Sequence, residues 1–500
     1  MKYEPVIGLE IHIELSSKSK MFCSCSADYF GADPNTHTCP VCLGLPGALP
    51  VANTIVIESA QKLGLAIHGE NLLSSKFDRK NYFYPDLAKG FQISQYQEPF
   101  SLGGWIEIEV ESPADAGALA GRQSRKIEVT RAHLEEDTGK VAHATINGRK
   151  VSLIDFNRSG VPLLEIVSEP VMHSSEEAKA YAQKLQQIVR YIGISACDME
   201  KGSMRIEPNV SLRKVSNVSK VSKGSNVGEL PAYKVELKNI NSFRFAQKAI
   251  EYEILRQTEI LEKGETPALE TRGWDEVKNR TFSQRSKEMA HDYRYFPEPD
   301  LPPYLFTEDY IAKLKSQMPE LPNEKFKRFK DQYQLSKYDC LLLTSDLDLA
   351  EFFESTVKAY EKGEPKRIAN WIIGELLRRL NETQTRLADL NLLPASLAEL
   401  LLLTDEGKIT TVSAKEIFEK MITSNKNIQE LIKEMGAETI SADKLAEAID
   451  LAVKLNPDAV AQYKAGKEQV FGFLVGQVQR QTQGKADPKA VADLLKQKLK

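Results

Sequence analysis

The sequence reads as an α+β protein in which a sheet-rich first part is followed by helices, on three observations. Short alternating or β-branched runs recur up to about residue 279. Pro297, Pro299, Pro302 and Pro303 then interrupt any regular element. Beyond them helical spacing dominates, as in Ile368, Ile372, Ile373 and Leu376. A chain of 500 residues exceeds what one hydrophobic core holds. The expected division is a sheet-rich domain over 1–295, a helical domain over 296–407 and a small helical tail domain over 408–500.

The first element is a strand from Pro5 to Ile13, extended by the run Gly8 to Glu14. Its alternation puts Glu10, His12 and Glu14 on one face and Leu9, Ile11 and Ile13 on the other. Two carboxylates and an imidazole suit a hydrated divalent ion near phosphates better than a closed zinc cage. An ordinary half-buried strand with a wet face shows the same pattern. Next come Cys23-x-Cys25 and Cys39-x-x-Cys42, while Cys197 and Cys340 stand alone. Paired short spacings around a loop read as a tetrahedral zinc site, and four thiolates would close it to catalysis. Disulfides are the alternative, which a reducing compartment disfavours.

Strands are expected at Trp105–Val110, Lys126–Val129 and Val151–Phe156. Ser174 and Glu177 form a capping-box pattern ahead of Ala178, Tyr181, Leu185, Ile188, Val189 and Ile192, with Gly193 as the stop. The Val-Ser-rich stretch Lys214–Leu230 reads as an excursion of a hairpin. A helix is expected over Ile368–Leu380, and another from near Leu397 to Gly407. Ser413 with Glu416 then suggests a capping box at the head of the tail.

A formal charge of -4 argues against wholesale coating of nucleic acid but leaves room for a local basic patch. From Asp458 to Lys500 eight Lys and Arg stand against four Asp and Glu, which suits an RNA-binding surface or a solvated helical face equally. No signal-peptide pattern follows Met1, and no apolar run approaches the roughly 18 residues that cross a bilayer, so a cytoplasmic, non-membrane protein is expected. The common phosphate loops, the dinucleotide fingerprint and the His-Glu-x-x-His motif do not occur. Carboxylates recur in His133–Lys140, Asp198–Gly202 and Arg205–Asn209, where solvated loops are the plain reading of each taken singly.

Taken together, long words in a fixed order resemble the B subunits of glutamine-dependent Asp/Glu-tRNA amidotransferases over essentially the whole chain. They are Val6–His12, Lys76–Asp86, Gln92–Gln95, His133–Lys140, Asn157-Arg158-x-Gly160-x-Pro162-Leu163, Glu165–Pro170, Glu236-x-Lys238-Asn239, Asp292–Asp300 and Gly472–Gln477. The resemblance implies a cradle-shaped catalytic domain, a helical domain and a tail that contacts tRNA. It also implies a carbon–nitrogen ligase using glutamine as amido donor. Such an enzyme uses ATP to phosphorylate the side-chain carboxyl of Glu-tRNA(Gln) or Asp-tRNA(Asn), and ammonia then displaces phosphate. The implied partners are misacylated tRNA, an amidase-type glutaminase A subunit and a small C subunit, in a heterotrimer.

By the same resemblance, Glu10, His12, Glu136 and Glu207 would hold Mg²⁺, with Glu207 standing where many relatives have Asp. Arg79, Lys80 and Glu200 would be catalytic, the first two taking charge that develops on the transferred group. Tyr82, Tyr84, Gln92, Gln95, Asn157, Arg158, Asn239 and Asn241 would contact nucleotide or the acceptor end. Cys23, Cys25, Cys39 and Cys42 would hold structural Zn²⁺. Two rivals remain: a non-catalytic tRNA-binding scaffold, and a zinc hydrolase built on Glu10 and His12. The second is disfavoured by seven histidines with none paired at ligand spacing.

Overall fold

The computed structural model describes residues 3–111, 122–215, 230–286, 293–361, 363–424 and 426–499. Most of the expected excursion at Lys214–Leu230, namely 216–229, lies outside the described residues, as does Asp292. Two compact units divide at Leu321/Pro322.

The first unit is α+β. Its main sheet has ten strands among the described residues, ordered Arg280–Ser286, Glu270–Asp275, Val235–Lys238, Met204–Lys214, Tyr3–Glu14, Pro162–Ser168, Arg122–Glu136, Ser101–Leu102 and Glu70–Asn71, with Trp105–Glu111 paired to the start of Arg122–Glu136. Every pairing is antiparallel except that of Val235–Lys238 with Glu270–Asp275, where the helix Phe243–Glu262 makes the crossover. The strand Tyr3–Glu14 sits in the middle. Glu10 lies opposite Val167 on one side and Glu207 on the other, and His12 lies opposite Glu165 and Arg205. Glu165 in turn faces His133. Directly opposed residues share a face, so this register gathers the polar side chains of four strands on one surface.

The other surface is apolar for the same reason. Leu9, Ile11, Ile13, Leu134, Leu164, Ile166 and Ile206 are at most 1% exposed, and they form one core with residues of the helices Thr54–Ala66, Ser175–Tyr191 and Phe243–Glu262. The Ser175–Tyr191 helix starts as the capping pattern requires: the Ser174 hydroxyl accepts the Glu177 N–H at 3.1 Å. It buries Ala178, Tyr181, Leu185, Ile188 and Val189, and Gly193 follows at φ +69°.

The proline-rich stretch supplies short strands. Phe296–Pro297 pairs with Asp78–Arg79 at the edge of a three-stranded sheet, and Tyr304–Leu305 pairs with Ser74–Ser75. A proline is tolerated there because an edge strand has one row of N–H groups to spare. Residues 296–321 therefore pack with the first unit.

The second unit is helical and holds two apolar cores. One runs from Phe329 to Ala437 and contains Ile368, Ile372 and Leu376, with Trp371 edge-on to Phe418 at 5.9 Å. The expected helix at Ile368–Leu380 is present with an interruption, a π turn at Ile372–Leu376 between Pro365–Trp371 and Leu377–Thr383. The helix Thr411–Thr423 is capped by Thr410, whose hydroxyl accepts the Ser413 N–H at 3.2 Å. The start is thus three residues earlier than the Ser413–Glu416 pattern suggests, because Thr410 offers an equivalent oxygen first. The other core joins Leu445, Ile449, Leu474, Val478, Val491 and Leu495. Among the described residues no helix is long and apolar enough to cross a membrane.

Candidate functional site

The polar sheet face carries two groups of side chains whose ligand atoms lie within 4.8 Å of one another: His12, Glu135 and Glu165, and Glu10, Glu207 and Glu236. In the first, His12 Nε2 is 3.4 Å from Glu165, and His133 Nε2 is 3.4 Å from both Glu135 and Glu165. Gln92 Nε2 and Ser94 Oγ donate to Glu135 at 3.0 and 2.8 Å, and the Lys80 ammonium stands 3.8 Å away. In the second, Glu10 accepts Asn209 Nδ2 at 2.9 Å and Glu236 accepts the Thr271 hydroxyl at 2.9 Å. Lys238 Nζ reaches Glu207 at 2.8 Å and Glu236 at 3.3 Å.

Burial and crowded charge set the protonation preferences. Desolvation, then the like charge of Glu165, pushes the Glu10 carboxyl up. Desolvation opposes the charged form of His12, yet its contacts with Glu165 and the charge of Glu207 raise it to about 9. Glu135 is held at about 2 against desolvation, chiefly by Lys80. Glu165 lies well below the usual carboxylate range despite burial, because two imidazoles face it. Nearby, Glu14 rises to about 7 through desolvation and the charge of Asp137, and it accepts the Tyr29 hydroxyl at 3.0 Å.

These residues fit a hard divalent cation. The donors are carboxylate oxygens with one imidazole, the set suited to Mg²⁺. Among the described residues, His12 Nδ1 and Asn209 Oδ1 are buried with no hydrogen-bond partner, two lone pairs that a cation or its waters would take up. His12 must shed its proton to ligate.

The expected metal residues do not all meet. Glu10 and Glu207 come together and His12 adjoins them, but Glu136 does not share their face. It lies opposite Pro162 in a ladder where Glu135 lies opposite Leu163, so strand alternation turns the two glutamates to opposite sides. Glu136 pairs with Lys89 and accepts the Ile93 N–H at 2.9 Å. There it lines a cavity of about 110 Å³ with Cys42, Arg79 and Glu298. Glu135 takes its place on the polar face.

Arg79 and Lys80 separate for the same reason. Lys80 points toward Glu135, whereas Arg79 donates to Glu298 at 2.7 and 2.8 Å and to Asp300 at 3.2 Å, with its guanidinium 4.1 Å from the Phe91 ring centre. Glu200 stands in an exposed turn whose N–H groups point to Asp198. Tyr82 packs edge-on to Tyr84 and Tyr293, with Lys80 Nζ 6.0 Å from its ring centre; Tyr84 is exposed.

Gln92 reaches the site, but Gln95 donates to Ser75 at 2.6 Å and accepts the Leu134 N–H at 3.0 Å. Asn157 ties down the loop at Asp33 and His37, and Arg158 donates to the Thr138 and Gly139 carbonyls. Asn239 sits at φ +63° and donates to the Trp274 carbonyl at 3.3 Å, while Asn241 is exposed. Residues missed from sequence are His133, Glu135, Glu165, Arg205, Glu236 and Lys238. Counting by twos from His133 would have chosen Glu135, and the pairing of distant strands, which no single sequence displays, selects the rest.

Cys23, Cys25, Cys39 and Cys42 form a separate group with sulfurs within 4.8 Å, and the Cys39–Cys42 separation is 3.8 Å. That matches the edge of a tetrahedron with metal–sulfur bonds of about 2.3 Å. The Cys42 thiol is held down to about 5, first by the hydrogen bond from Cys23, against desolvation, with help from the Cys39 N–H and Lys20. Lys20, wholly buried, donates to the His37 carbonyl at 2.6 Å and lies 3.7 Å from Cys42 Sγ. A buried cation beside Cys42 would offset part of the negative charge that four thiolates bring to a metal.

The family model of the GatB/GatE catalytic domain matches residues 5–312, and that of the GatB domain matches 351–499. The B subunit of the aspartyl/glutamyl-tRNA(Asn/Gln) amidotransferase from Carboxydothermus hydrogenoformans is 47% identical over 500 residues, 100% of this chain and 99% of that protein. Its namesakes from Thermoanaerobacter pseudethanolicus and a Thermotoga species are 46% and 47% identical, covering 100% and 98% of this chain and 100% and 97% of theirs. With both family models matched and nearly half the residues identical from end to end, the chain belongs to the GatB family and carries a GatB/GatE catalytic domain.

Proposed function

We propose that the chain is the catalytic subunit of a tRNA-dependent amidotransferase, a carbon–nitrogen ligase that uses ATP to activate the side-chain carboxyl of Glu-tRNA(Gln), Asp-tRNA(Asn) or both. The observation that carries this reading is the polar face with its two carboxylate groups, each flanked by a lysine, in a family of amidotransferase subunits. A carboxylate oxygen is a poor leaving group. Attack of that oxygen on the γ-phosphorus breaks the bond to ADP and leaves an acyl phosphate. Ammonia nitrogen then forms the amide as the carbon–oxygen bond to phosphate breaks, and the nitrogen gives up a proton.

The residues supply the electrostatics of both steps. Glu10, Glu207 and Glu236, with His12 beside them, would hold Mg²⁺, whose bound charge offsets that of the phosphates. Lys80 and Lys238 stand as cations over that face, where charge on the transferred group develops. Gln92 and Ser94 fix Glu135, which holds Lys80 in place. Tyr82, Tyr84, Asn239 and Asn241 remain candidates for nucleotide or acceptor contacts. Arg79, Gln95, Asn157 and Arg158 act through the backbone and ion pairs that shape the rim.

The four cysteines would hold Zn²⁺ as a structural ion. Ammonia would come from a glutaminase A subunit, with a small C subunit completing the assembly. A division into catalytic domain, helical domain and tRNA-contacting tail fits the basic excess of the last residues. The expected compartment is the cytoplasm, where aminoacyl-tRNA is made and used.

The test is ATP-dependent phosphorylation of Glu-tRNA(Gln) by the reconstituted complex. Glu10→Ala or His12→Ala is expected to slow it at least about 100-fold while glutamine hydrolysis by the partner persists. Equal rates in variant and parent would sink the assignment of this face as the phosphoryl site, and absence of acyl phosphate from the parent complex, with tRNA still bound, would leave the scaffold reading.

A further inference from the structure

We propose that the Lys238 ammonium is a tethered counter-ion that holds Glu207 and Glu236 of the Glu10–Glu207–Glu236 group and leaves them when a divalent cation enters. This rests on the metal reading above and goes beyond it in naming what holds the carboxylates together beforehand. Three glutamates whose oxygens lie within 4.8 Å of one another repel strongly unless a cation sits among them. Lys238 is that cation for two of the three, hydrogen-bonded to Glu207 at 2.8 Å and 3.3 Å from Glu236, while the charge of Lys234 acts on Glu10. Lys80 is the counter-charge of the other group, but at 3.8 Å from Glu135 it acts through charge without a hydrogen bond.

Lys238 is also built to leave. Its backbone is fixed: it closes the strand Val235–Lys238, and the next residue, Asn239, is anchored to the Trp274 carbonyl. Its side chain is 38% exposed where that of Glu236 is 9%, so its flexible four-carbon stem borders solvent while the glutamate is enclosed. Two cations cannot share Glu207 and Glu236 at hydrogen-bond distance without repelling. An entering divalent ion therefore displaces Lys238 from Glu207 and Glu236.

The experiment titrates Mn²⁺ into the full chain, stripped of metal by chelation, and follows free Mn²⁺ by electron paramagnetic resonance. Lys238→Met and Lys238→Gln remove the competitor and are expected to tighten binding by about fivefold or more, whereas Lys238→Arg keeps it near the parent value. Glu207→Gln is expected to weaken binding, which assigns the counted ion to this group. Mere structural damage would not raise affinity. Unchanged or weaker binding in Lys238→Met, beside a weakened Glu207→Gln, overturns the counter-ion role alone. Absence of Mn²⁺ binding by the parent, or indifference to Glu207→Gln, removes the metal reading with it. Should both neutral variants fail to fold, a crystal structure of the parent with Mn²⁺ decides: Nζ beyond hydrogen-bond reach of Glu207 and Glu236 supports the role, and Nζ still bonded to them overturns it.

Discussion

Glu135 and Glu136 are chemically identical neighbours with opposite surroundings. Glu135 faces Lys80, Gln92, Ser94 and His133, whereas Glu136 meets Lys89 and the Ile93 N–H behind the sheet. Glu135→Gln is expected to slow phosphorylation of the acylated tRNA by about 100-fold, beyond what its loss of the buried pair with Lys80 costs in stability, since it weakens the electrostatics of the reacting face. Glu136→Gln breaks a buried ion pair, and its expected cost is stability, about 3–5 kcal/mol by denaturant unfolding. Reversed phenotypes would place the chemistry behind the sheet.

What could be read at this scale follows from the same alternation. Glu10 and His12 were legible because period two is written within one strand. The choice between Glu135 and Glu136, or Arg79 and Lys80, turns on where a strand sits in its ladder. Glu165 depends on pairing with a strand more than a hundred residues away, and Glu236 and Lys238 reach the first strand only through Met204–Lys214, neither of which local pattern encodes.

Elements with strong local signals were the most readable. The Ser175–Tyr191 helix begins and ends where cap and glycine demand, because its determinants lie within a few residues of its ends. The helix around Ile368 kept its apolar stripe, but the π turn depends on packing among buried neighbours and had no local mark. The cysteine loop lies between these cases: spacing named its four cysteines, while the buried Lys20 beside Cys42 emerged only from the fold. Cys39→Ser is expected to lower zinc content from one ion per chain toward none and to raise protease sensitivity over 33–50, with most of the phosphoryl chemistry retained. Parent protein free of zinc by mass spectrometry would refute the site.

For the whole molecule, the contacts divide the chain at Leu321/Pro322, and an independent second helical core gathers between Leu445 and Leu499. Residues Ile409–Ala437 belong to the preceding core, so a cut at 408 would strip Ile417 and Met421 from that core and Phe418 from against Trp371. Deletion of 440–500 is the cleaner test of the tail. It is expected to raise the KM for tRNA and make its salt dependence shallower, with glutaminase activity of the complex preserved. An unchanged KM across salt would reduce the tail to a structural module. Composition had hinted at this surface through its local positive excess; the position of the core boundary depends on three-dimensional packing that charge does not report.

The middle position of the strand Tyr3–Glu14 has a consequence for biosynthesis. Its two neighbours in the sheet are Pro162–Ser168 and Met204–Lys214, so the first strand made is flanked by strands made long afterwards. At about 5–20 residues per second, translation would leave it waiting on the order of 10–40 s for its second neighbour. Through that interval Leu9, Ile11 and Ile13, later among the most deeply buried side chains, have no sheet to join. High contact order of this kind slows folding and exposes a sticky edge. The nascent chain should thus be a client for ribosome-associated holding factors until about the time Lys214 clears the exit tunnel.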